Sequence, residues 1–183
     1  MRHALAIAAT LTLAACATAP KPAPAPPPSQ STAQEGQANL ASASGSLVSG
    51  RVTLRPMGDG VHLTGTVGGF LPGSVHGIHV HEKGDCTAAD ASSAGGHFNP
   101  TAQPHGRAKM AAHHAGDMDN ITADAQGQVK LDIHLAGVTL GGGAANDIAN
   151  RALVVHAAAD DYTTQPSGNS GARVACAVIK ILK

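Results

Sequence analysis

The sequence predicts an all-β fold, built as a sandwich or a barrel of antiparallel strands. Two segments, GVHLTGTVGGF at 60–70 and QVKLDIHLA at 128–136, alternate apolar and polar residues with a period of two. That period places apolar side chains on one face of a strand and polar side chains on the other. No stretch repeats its apolar residues with helical spacing, and strands without intervening helices favour a sandwich or barrel over a parallel sheet.

Three more segments are strand-like: SLVSGRVTLRP at 46–56, RALVVHAAA at 151–159 and RVACAVIKIL at 173–182. Their β-branched and aliphatic residues suit a half-buried strand. The stretch DAQGQ at 124–128 carries turn-forming residues, so it predicts a turn between two strands.

Two long segments interrupt the strand pattern, at 83–116 and 157–172. Both are rich in Gly, Ala, Ser, Asp and Pro. Long segments without secondary structure inside a compact domain are typically functional or disordered. The first segment also contains four histidines: His97, His105, His113 and His114. We therefore expect these loops to be functional.

The composition of the 183 residues narrows the function. The chain has 12 basic and 12 acidic side chains, so it offers no basic surface and we expect no nucleic-acid partner. It has no Trp, one Tyr and two Phe. The core must therefore be built from Val, Ile, Leu and Ala.

The N-terminus predicts export. Residues 1–15 place Arg2 before an apolar run that ends in small residues, which is typical of a signal peptide. The letters LAAC at 13–16 resemble a bacterial lipobox, which predicts lipidation of Cys16 and attachment to a membrane without a spanning helix. The alternative is an ordinary signal peptide that is cut nearby.

Residues 16–45 are predicted to be the lipidated cysteine and a linker. The Pro-Ala part favours extended polyproline II and the Ser/Gln/Ala part favours a flexible chain. The segment has too few apolar residues to pack a core. The folded domain is therefore predicted to span residues 46–183, in the periplasm or elsewhere in a bacterial cell envelope.

Three cysteines occur in the chain, and lipidation of Cys16 leaves Cys86 and Cys176. Exported proteins fold in an oxidising compartment, so these two cysteines are predicted to form a disulfide. Two buried thiols are the alternative.

Histidine is abundant, with 11 residues in the chain, seven of which lie between 76 and 114. His79 and His81 lie two apart, so in a strand both side chains point to the same side, as a metal site requires. A solvated polar face would explain the same pair. Histidines and an aspartate recur in later motifs, however: His97, His105, His113, His114, Asp117 and His156.

The joint pattern resembles the copper/zinc superoxide dismutase family over roughly residues 46–183. The motifs that carry the resemblance stand in the family's order: HGIHVHEKGDC, GGHFNP, PHG, HHAGDMDNITAD, LVVHAAADD and GNSGARVACAVI. The resemblance implies an eight-stranded Greek-key β-barrel, an immunoglobulin-like sandwich, with the two long loops carrying function. It implies one copper and one zinc ion per subunit.

The resemblance also implies roles for individual residues. The copper ligands would be His79, His81, His97 and His156, and the zinc ligands His97, His105, His114 and Asp117. His97 would be shared by both metals and supply a proton, and Arg173 would be the active-site arginine. Asp160 would link a copper-side to a zinc-side histidine, and Cys86 and Cys176 would form the family disulfide. An all-imidazole site suits copper, and three His with one Asp suit zinc.

The other histidines are predicted to be non-ligands. His113 is displaced by one residue from the position that the family uses, and His76 is predicted to form structural hydrogen bonds. His62 and His134 fall on the polar faces of their strands, and His3 leaves with the signal peptide.

The predicted activity is dismutation of superoxide to oxygen and hydrogen peroxide. The segment 157–172 has Gln165 and Ser167 in the region where animal members of the family carry a lysine, so substrate guidance beyond Arg173 is expected to fall to Lys83, Lys109 or other residues. The alternative function is an envelope copper/zinc-binding protein without turnover. Both a monomer and a homodimer remain compatible with the sequence.

Overall fold

The computed structural model describes residues 30–183, and it contains ten strands and one three-residue 3₁₀ helix, Ser92–Ala94. The strands are β1 (Gly36–Ser42), β2 (Ser49–Met57), β3 (Gly60–Gly68), β4 (Val75–His76), β5 (Ile78–His81), β6 (Ile121–Thr122), β7 (Gln128–Ala136), β8 (Ala152–His156), β9 (Arg173–Val178) and β10 (Lys180–Ile181).

Eight of these strands form one curled antiparallel sheet. Its order is β5-β8-β9-β1-β2-β3-β7, with β10 also paired to β1. Strands β4 and β6 form a separate two-stranded ladder. The predicted all-β, eight-stranded fold is confirmed, in the form of a half-barrel whose end strands are β5 and β7.

The alternation read from the sequence is visible in β3 and β7. Val61, Leu63 and Val67 of β3 are buried, whereas Thr66 is exposed. Strand β7 repeats this pattern next to it, in a register that pairs Leu63 with Ile133. The predicted turn before β7 is also present, because the Asp124 carboxylate accepts bonds from two backbone N–H groups of that turn.

The predicted linker extends too far. Residues 36–42 lie inside the segment assigned to it, yet they form β1, which pairs with β2, β9 and β10. Ala38 and Leu40 are buried in the core. A strand with only two buried apolar anchors can be stable because neighbouring strands on both sides satisfy its backbone groups. The folded unit therefore begins before residue 46.

The core is aliphatic, as the composition predicts. Its fully buried large side chains include Leu54, Leu63, Ile78, Leu135, Leu140, Ile148, Leu153 and Ile179. Phe70 and Phe98 are its two phenylalanines. Burying a side chain of this size contributes about 1.5–3 kcal/mol, so the sheet is a stable platform for the loops.

The end strand β5 is covered by the first long loop. The backbone N–H of Phe98 donates to the carbonyl of Val80 (2.8 Å), and the N–H of Val80 donates to Gly116 (2.9 Å). A side chain at Gly116 would collide with the Val80 carbonyl, so this close approach requires glycine. The loop therefore pairs with backbone groups along the outer edge of β5, which would otherwise have no partner in the sheet.

Within residues 30–183, no helix has the length and apolar character needed to cross a lipid bilayer. The predicted signal peptide at 1–15 and the predicted lipidation of Cys16 concern residues outside the described part of the chain.

Candidate metal centre

Two groups of buried side chains bring metal-ligating atoms together beside β5. In each group the four ligand atoms lie within 4.8 Å of one another. The first group, the four-histidine cluster, contains His79, His81, His97 and His156. The second, the histidine–aspartate cluster, contains His97, His105, His114 and Asp117. The structure thus assembles every residue that the sequence predicts as a ligand, and His97 belongs to both clusters.

Strand geometry sets the first cluster. His79 and His81 both lie on β5, so they point to the same side, away from the core residues Ile78 and Val80. His156 ends the neighbouring strand β8, and its backbone N–H donates to the Gly77 carbonyl (2.9 Å).

Two backbone bridges bring the loop residues to this strand. His97 lies opposite His81, and Asp117 lies opposite His79. These are single antiparallel bridges, which place loop residues against β5 as an added strand would. The ligands on the strand and the ligands on the loop are therefore held in fixed register.

The four-histidine cluster leaves imidazole nitrogens without protein donors. His81 Nδ1 donates to the Gly95 carbonyl (2.9 Å) and His156 Nδ1 to the Gly171 carbonyl (3.4 Å). Their Nε2 atoms, which then carry no proton, face each other at 3.3 Å. Two lone pairs at this distance repel unless a proton or a cation lies between them, so the pair fits a metal ion.

The remaining two nitrogens of this cluster have the same character. His79 Nδ1 and His97 Nε2 are buried without a hydrogen-bond partner. Buried polar atoms without partners are rare and call for an explanation. Four convergent imidazole nitrogens fit copper, which favours such ligands.

The histidine–aspartate cluster is centred on one carboxylate oxygen. Asp117 Oδ1 lies 2.8 Å from His97 Nδ1, 3.0 Å from His105 Nδ1 and 3.3 Å from His114 Nδ1. Its other oxygen accepts the backbone N–H groups of Gly106 (3.1 Å) and His114 (2.8 Å). Three nitrogens and one oxygen in this arrangement fit a closed tetrahedral zinc site.

Burial keeps most of the copper-side imidazoles neutral. It lowers the pKa of His97 to about 4, although Asp117 opposes the shift. It lowers the pKa of His156 to about 3, with repulsion from His79 adding to the effect, and it holds the pKa of His81 well below the ordinary value. Neutral imidazole is the form that binds metal.

In the histidine–aspartate cluster, the pKa values of Asp117 and His105 shift in the directions that favour the charged forms. Burial would raise the pKa of Asp117, but bonds from His105, His114 and His97 outweigh it and hold the pKa far below the usual range. Burial would lower the pKa of His105, but the bonds to Asp117 and Asp160 outweigh it and raise the pKa to about 9. In the metal-free protein His105 therefore carries a proton at neutral pH.

Asp160 connects the two clusters from behind. Its Oδ2 lies 2.7 Å from His79 Nε2 and its Oδ1 lies 3.0 Å from His105 Nε2. The carboxylate thus contacts one residue of each cluster at the nitrogen that faces away from the ligand side. A side chain at Gly168 would collide with this carboxylate, so glycine there leaves room for the bridge.

Sequence reasoning did not identify Asn120, which holds Asp160 in place. Asn120 Nδ2 donates to the Asp160 carbonyl and Asn120 Oδ1 accepts the Asp160 N–H, both at 2.8 Å. The Asn120 N–H donates to the Tyr162 hydroxyl (2.8 Å). These bonds join loops 40 residues apart, and no local pattern signals them.

Arg173 lies at a cleft that opens above the four-histidine cluster. The cleft has a volume of about 620 Å³ and is lined by His81, His97 and His156 together with Arg173. Burial lowers the pKa of Arg173, but arginine keeps its proton in proteins. Among the described residues that line this cleft, Arg173 is the permanently charged cation, and neither Lys83 nor Lys109 reaches it.

The predicted disulfide is confirmed. Cys86 and Cys176 are bonded, with their Cα atoms 5.8 Å apart. The bond joins the first long loop to β9, three residues after Arg173. It therefore ties the arginine's strand to the loop that contributes His97.

The other histidines serve elsewhere. His76 contacts Ser74 Oγ (2.7 Å) and the His156 carbonyl (2.8 Å), as a structural hydrogen-bonding residue would. His113 donates to the His114 carbonyl (2.6 Å) and belongs to neither cluster. His62 and His134 pair with aspartates on the outer face of the sheet and are partly exposed.

A curled antiparallel sheet that carries two histidine-rich clusters joined by one shared imidazole defines a class of β proteins with paired metal sites. The chain belongs to the copper/zinc superoxide dismutase family. The family model described as copper/zinc superoxide dismutase matches residues 48–179. The two buried clusters match the copper and zinc sites of this family.

Individual relatives agree with this assignment. The chain is 36% identical to superoxide dismutase [Cu-Zn] 2 of Aquifex aeolicus over 146 residues, which cover 78% of this chain and 85% of that protein. Its fold is similar to the crystal structure of the clock protein EA4, with a TM-score of 0.73, 36% identity and coverage of 84% and 98% of the two chains. It is also similar to a SOD-like protein from Bacillus subtilis, with a TM-score of 0.70, 36% identity and coverage of 77% and 95%.

Proposed function

We propose that this protein is a superoxide dismutase that works in the bacterial cell envelope. Two superoxide anions and two protons give one oxygen and one hydrogen peroxide. The observation that carries the proposal is the four-histidine cluster, three of whose residues line a cleft together with the cation Arg173.

The proposal assigns the metals by ligand chemistry. His79, His81, His97 and His156 would hold copper, and His97, His105, His114 and Asp117 would hold zinc, with one of each per subunit. Copper, when bound, supplies one-electron redox chemistry, and zinc supplies a fixed charge that orders its ligands.

Arg173 attracts and orients the substrate. Superoxide is a small anion with little shape to recognise, so charge is the main property that a protein can use. Both terminal nitrogens of the guanidinium donate to backbone carbonyls of the first long loop, at Ala91 (2.6 Å) and Gly95 (2.5 Å). The side chain is therefore held in place beside the cleft before the substrate arrives, which lowers the entropy lost on binding.

His97 can handle a proton. Its Nδ1 is held by Asp117, and its Nε2 is buried without a protein hydrogen-bond partner. A proton carried at Nε2 would lie among the imidazoles of the four-histidine cluster, where the peroxide product needs one. Because burial lowers the pKa of His97, such a proton would be released readily.

The export and anchoring of the protein are part of the proposal. They rest on the sequence of residues 1–16, with Cys16 as the site of lipid attachment. A domain held at the membrane would remove superoxide formed in or entering the envelope.

A metal-binding protein without turnover is the second candidate. The similarity to a SOD-like protein from Bacillus subtilis favours it. The first candidate is preferred because the chain retains both complete clusters and an arginine whose guanidinium is anchored at the cleft.

One experiment separates the two candidates. The full-length protein is purified, its copper and zinc are quantified, and its superoxide consumption is measured by rapid mixing. Turnover that scales with copper content supports the dismutase. Stoichiometric binding of both metals without turnover would support the second candidate instead.

A further inference from the structure

The side-chain amide of Gln165 bonds in both directions to the backbone of one residue, His105. The His105 N–H donates to Gln165 Oε1 at 2.8 Å, and Gln165 Nε2 donates to the His105 carbonyl at 2.9 Å. One planar amide thus satisfies both backbone polar groups of His105, as a neighbouring strand would do in a sheet.

His105 has no other backbone support of this kind. It lies in the first long loop, outside any strand, and the backbone–backbone bonds of residues 30–183 do not include it. Because His105 is buried, its N–H and carbonyl would be costly to leave without partners. Gln165 therefore determines where the backbone of this cluster residue lies.

Gln165 itself is exposed and is not required for core packing. It stands in the second long loop, directly before Pro166 and Ser167, which line the cleft beside Arg173. The same side chain therefore joins a residue of the histidine–aspartate cluster to the wall of the substrate cleft.

We propose that Gln165 is a positioning residue that places His105 for zinc and couples the zinc site to the cleft wall at Pro166–Ser167. The proposal rests on the proposed function in one respect, that the histidine–aspartate cluster takes zinc. Asp160 fixes the ring of His105 from behind, and Gln165 fixes its backbone. With both in place, His105 Nδ1 is held in position before the metal arrives.

The chemistry of the amide makes the proposal specific. Gln165→Glu keeps the shape and the acceptor but replaces the donor with an oxygen, whose lone pairs would face the His105 carbonyl. Gln165→Ala removes both bonds. Gln103→Ala is the matched control, because the exposed amide of Gln103 donates within its own loop, to the Thr101 carbonyl (3.3 Å).

The test measures zinc affinity of the full-length protein by competition with a chromophoric chelator. Cobalt(II) loaded in place of zinc gives a visible spectrum as a second readout of the ligand geometry. We expect both Gln165 variants to bind zinc about tenfold more weakly, the low end of the effect of removing a bond that orients a ligand. We expect the cobalt spectrum to change, and the control to match the parent.

Accessibility of the cleft is measured in the same variants. Azide binding to the copper-loaded protein reports on the wall at Pro166–Ser167, and we expect its affinity to change in both Gln165 variants and not in the control. If Gln165→Ala fails to fold, the zinc and azide affinities of Gln165→Glu alone decide the test.

The proposal is overturned if both Gln165 variants bind zinc within twofold of the parent, or if Gln103→Ala weakens zinc binding as much. Unchanged azide affinity would overturn the coupling to the cleft. The parent's own zinc binding and superoxide turnover are measured alongside. A parent that binds zinc but does not turn over superoxide would contradict the dismutase assignment alone, and unaffected Gln165 variants in an active parent would contradict this inference alone.

Discussion

His81 and Arg173 share one hydrogen-bond acceptor, the carbonyl oxygen of Gly95, which lies 2.9 Å from His81 Nδ1 and 2.5 Å from Arg173 Nη2. A residue of the four-histidine cluster and the cationic side chain at the cleft are therefore positioned by the same backbone atom. Gly95 has a positive φ of 73°, which favours glycine at this position. Any shift of this loop would move the charge and the imidazole together.

Removing the charge of Arg173 should slow turnover without loss of metal. A guanidinium about 5 Å from an anion contributes about 3 kcal/mol at an effective dielectric constant near 20. In an open, wet cleft we expect about 1–2 kcal/mol, so Arg173→Ile should lose about tenfold in turnover at low superoxide. Arg173→Lys should fall between the two, because it keeps the charge and loses the planar fork.

Reversal of the charge provides the sharper form of this test. Arg173→Glu should be the slowest variant, and added salt should reduce its difference from the parent. Steady-state superoxide consumption by metal-loaded proteins at two ionic strengths measures this. Arg55→Ile is the control, because it removes one positive charge from the exposed ion pair with Glu35, outside the cleft. Parental activity of Arg173→Glu at low salt would show that this side chain does not guide the substrate.

Asp117 should be needed for zinc and for stability together. Its Oδ1 is the common neighbour of three imidazoles, so Asp117→Ala removes the carboxylate ligand from the proposed zinc site. A ligand present at 1,000 times its dissociation constant stabilises a fold by about 4 kcal/mol. For a domain of this size, losing it should lower the melting temperature by about 8–16 °C.

Zinc content and calorimetric melting of Asp117→Ala measure this effect. Asp119→Ala is the control. Asp119 lies two positions after Asp117 in the chain, but it pairs with Arg107 on the surface. Full zinc occupancy in Asp117→Ala would show that the ligand assignment is wrong.

The metal-free protein should lose stability as the pH rises from about 6.5 to 9. The pKa of His105 is raised to about 9 in the fold, above the value of about 6.5 expected when unfolded. Its stabilising contribution is therefore fully present below pH 6.5 and is lost as the pH passes 9. The expected loss is up to about 3 kcal/mol.

Urea unfolding of chelator-treated protein across this range measures the loss. His105→Gln should flatten the profile, whereas His134→Gln, at an exposed pair with Asp59, should not. An equally steep profile in His105→Gln would assign the effect to another group.

Cys16→Ser should leave the enzyme active but move it from the membrane to the soluble fraction. The reason is that Cys16 follows the apolar leader at the position where acylation is expected. Fractionation with activity measurement checks this outcome, and Thr18→Ala should remain with the membrane. Equal membrane recovery of Cys16→Ser and the parent would exclude the anchor.

The strands that the sequence predicts correctly are those with strong alternation. In β3 and β7, apolar residues of medium size recur at every second position, so the period is visible without a partner strand. Strand β1 escapes this reasoning because GQANLAS contains only Ala and Leu as apolar anchors. Its stability comes from pairing with strands that are distant in sequence, which a local pattern cannot show.

The same distinction holds for the site. The spacing of His79 and His81 predicts a metal site by itself, and the roles of the remaining cluster residues follow from the family resemblance. No local pattern signals the positions of Asn120 and Gln165, because the amide of each pairs with the backbone of a loop distant in sequence. Such contacts depend on how the two loops meet, and this is decided only when the sheet has folded.

The early start of the fold limits how far the folded domain could lie from a lipid attached at Cys16. The backbone of Thr32 already bonds to Leu140, and Thr32 lies 16 positions after Cys16. A chain of that length spans at most about 55 Å when fully extended. If Cys16 carries the acyl group, the folded domain is confined to a layer roughly one protein diameter deep above the membrane. It would meet superoxide as a surface-bound catalyst whose encounter rate depends on its density per unit area of membrane.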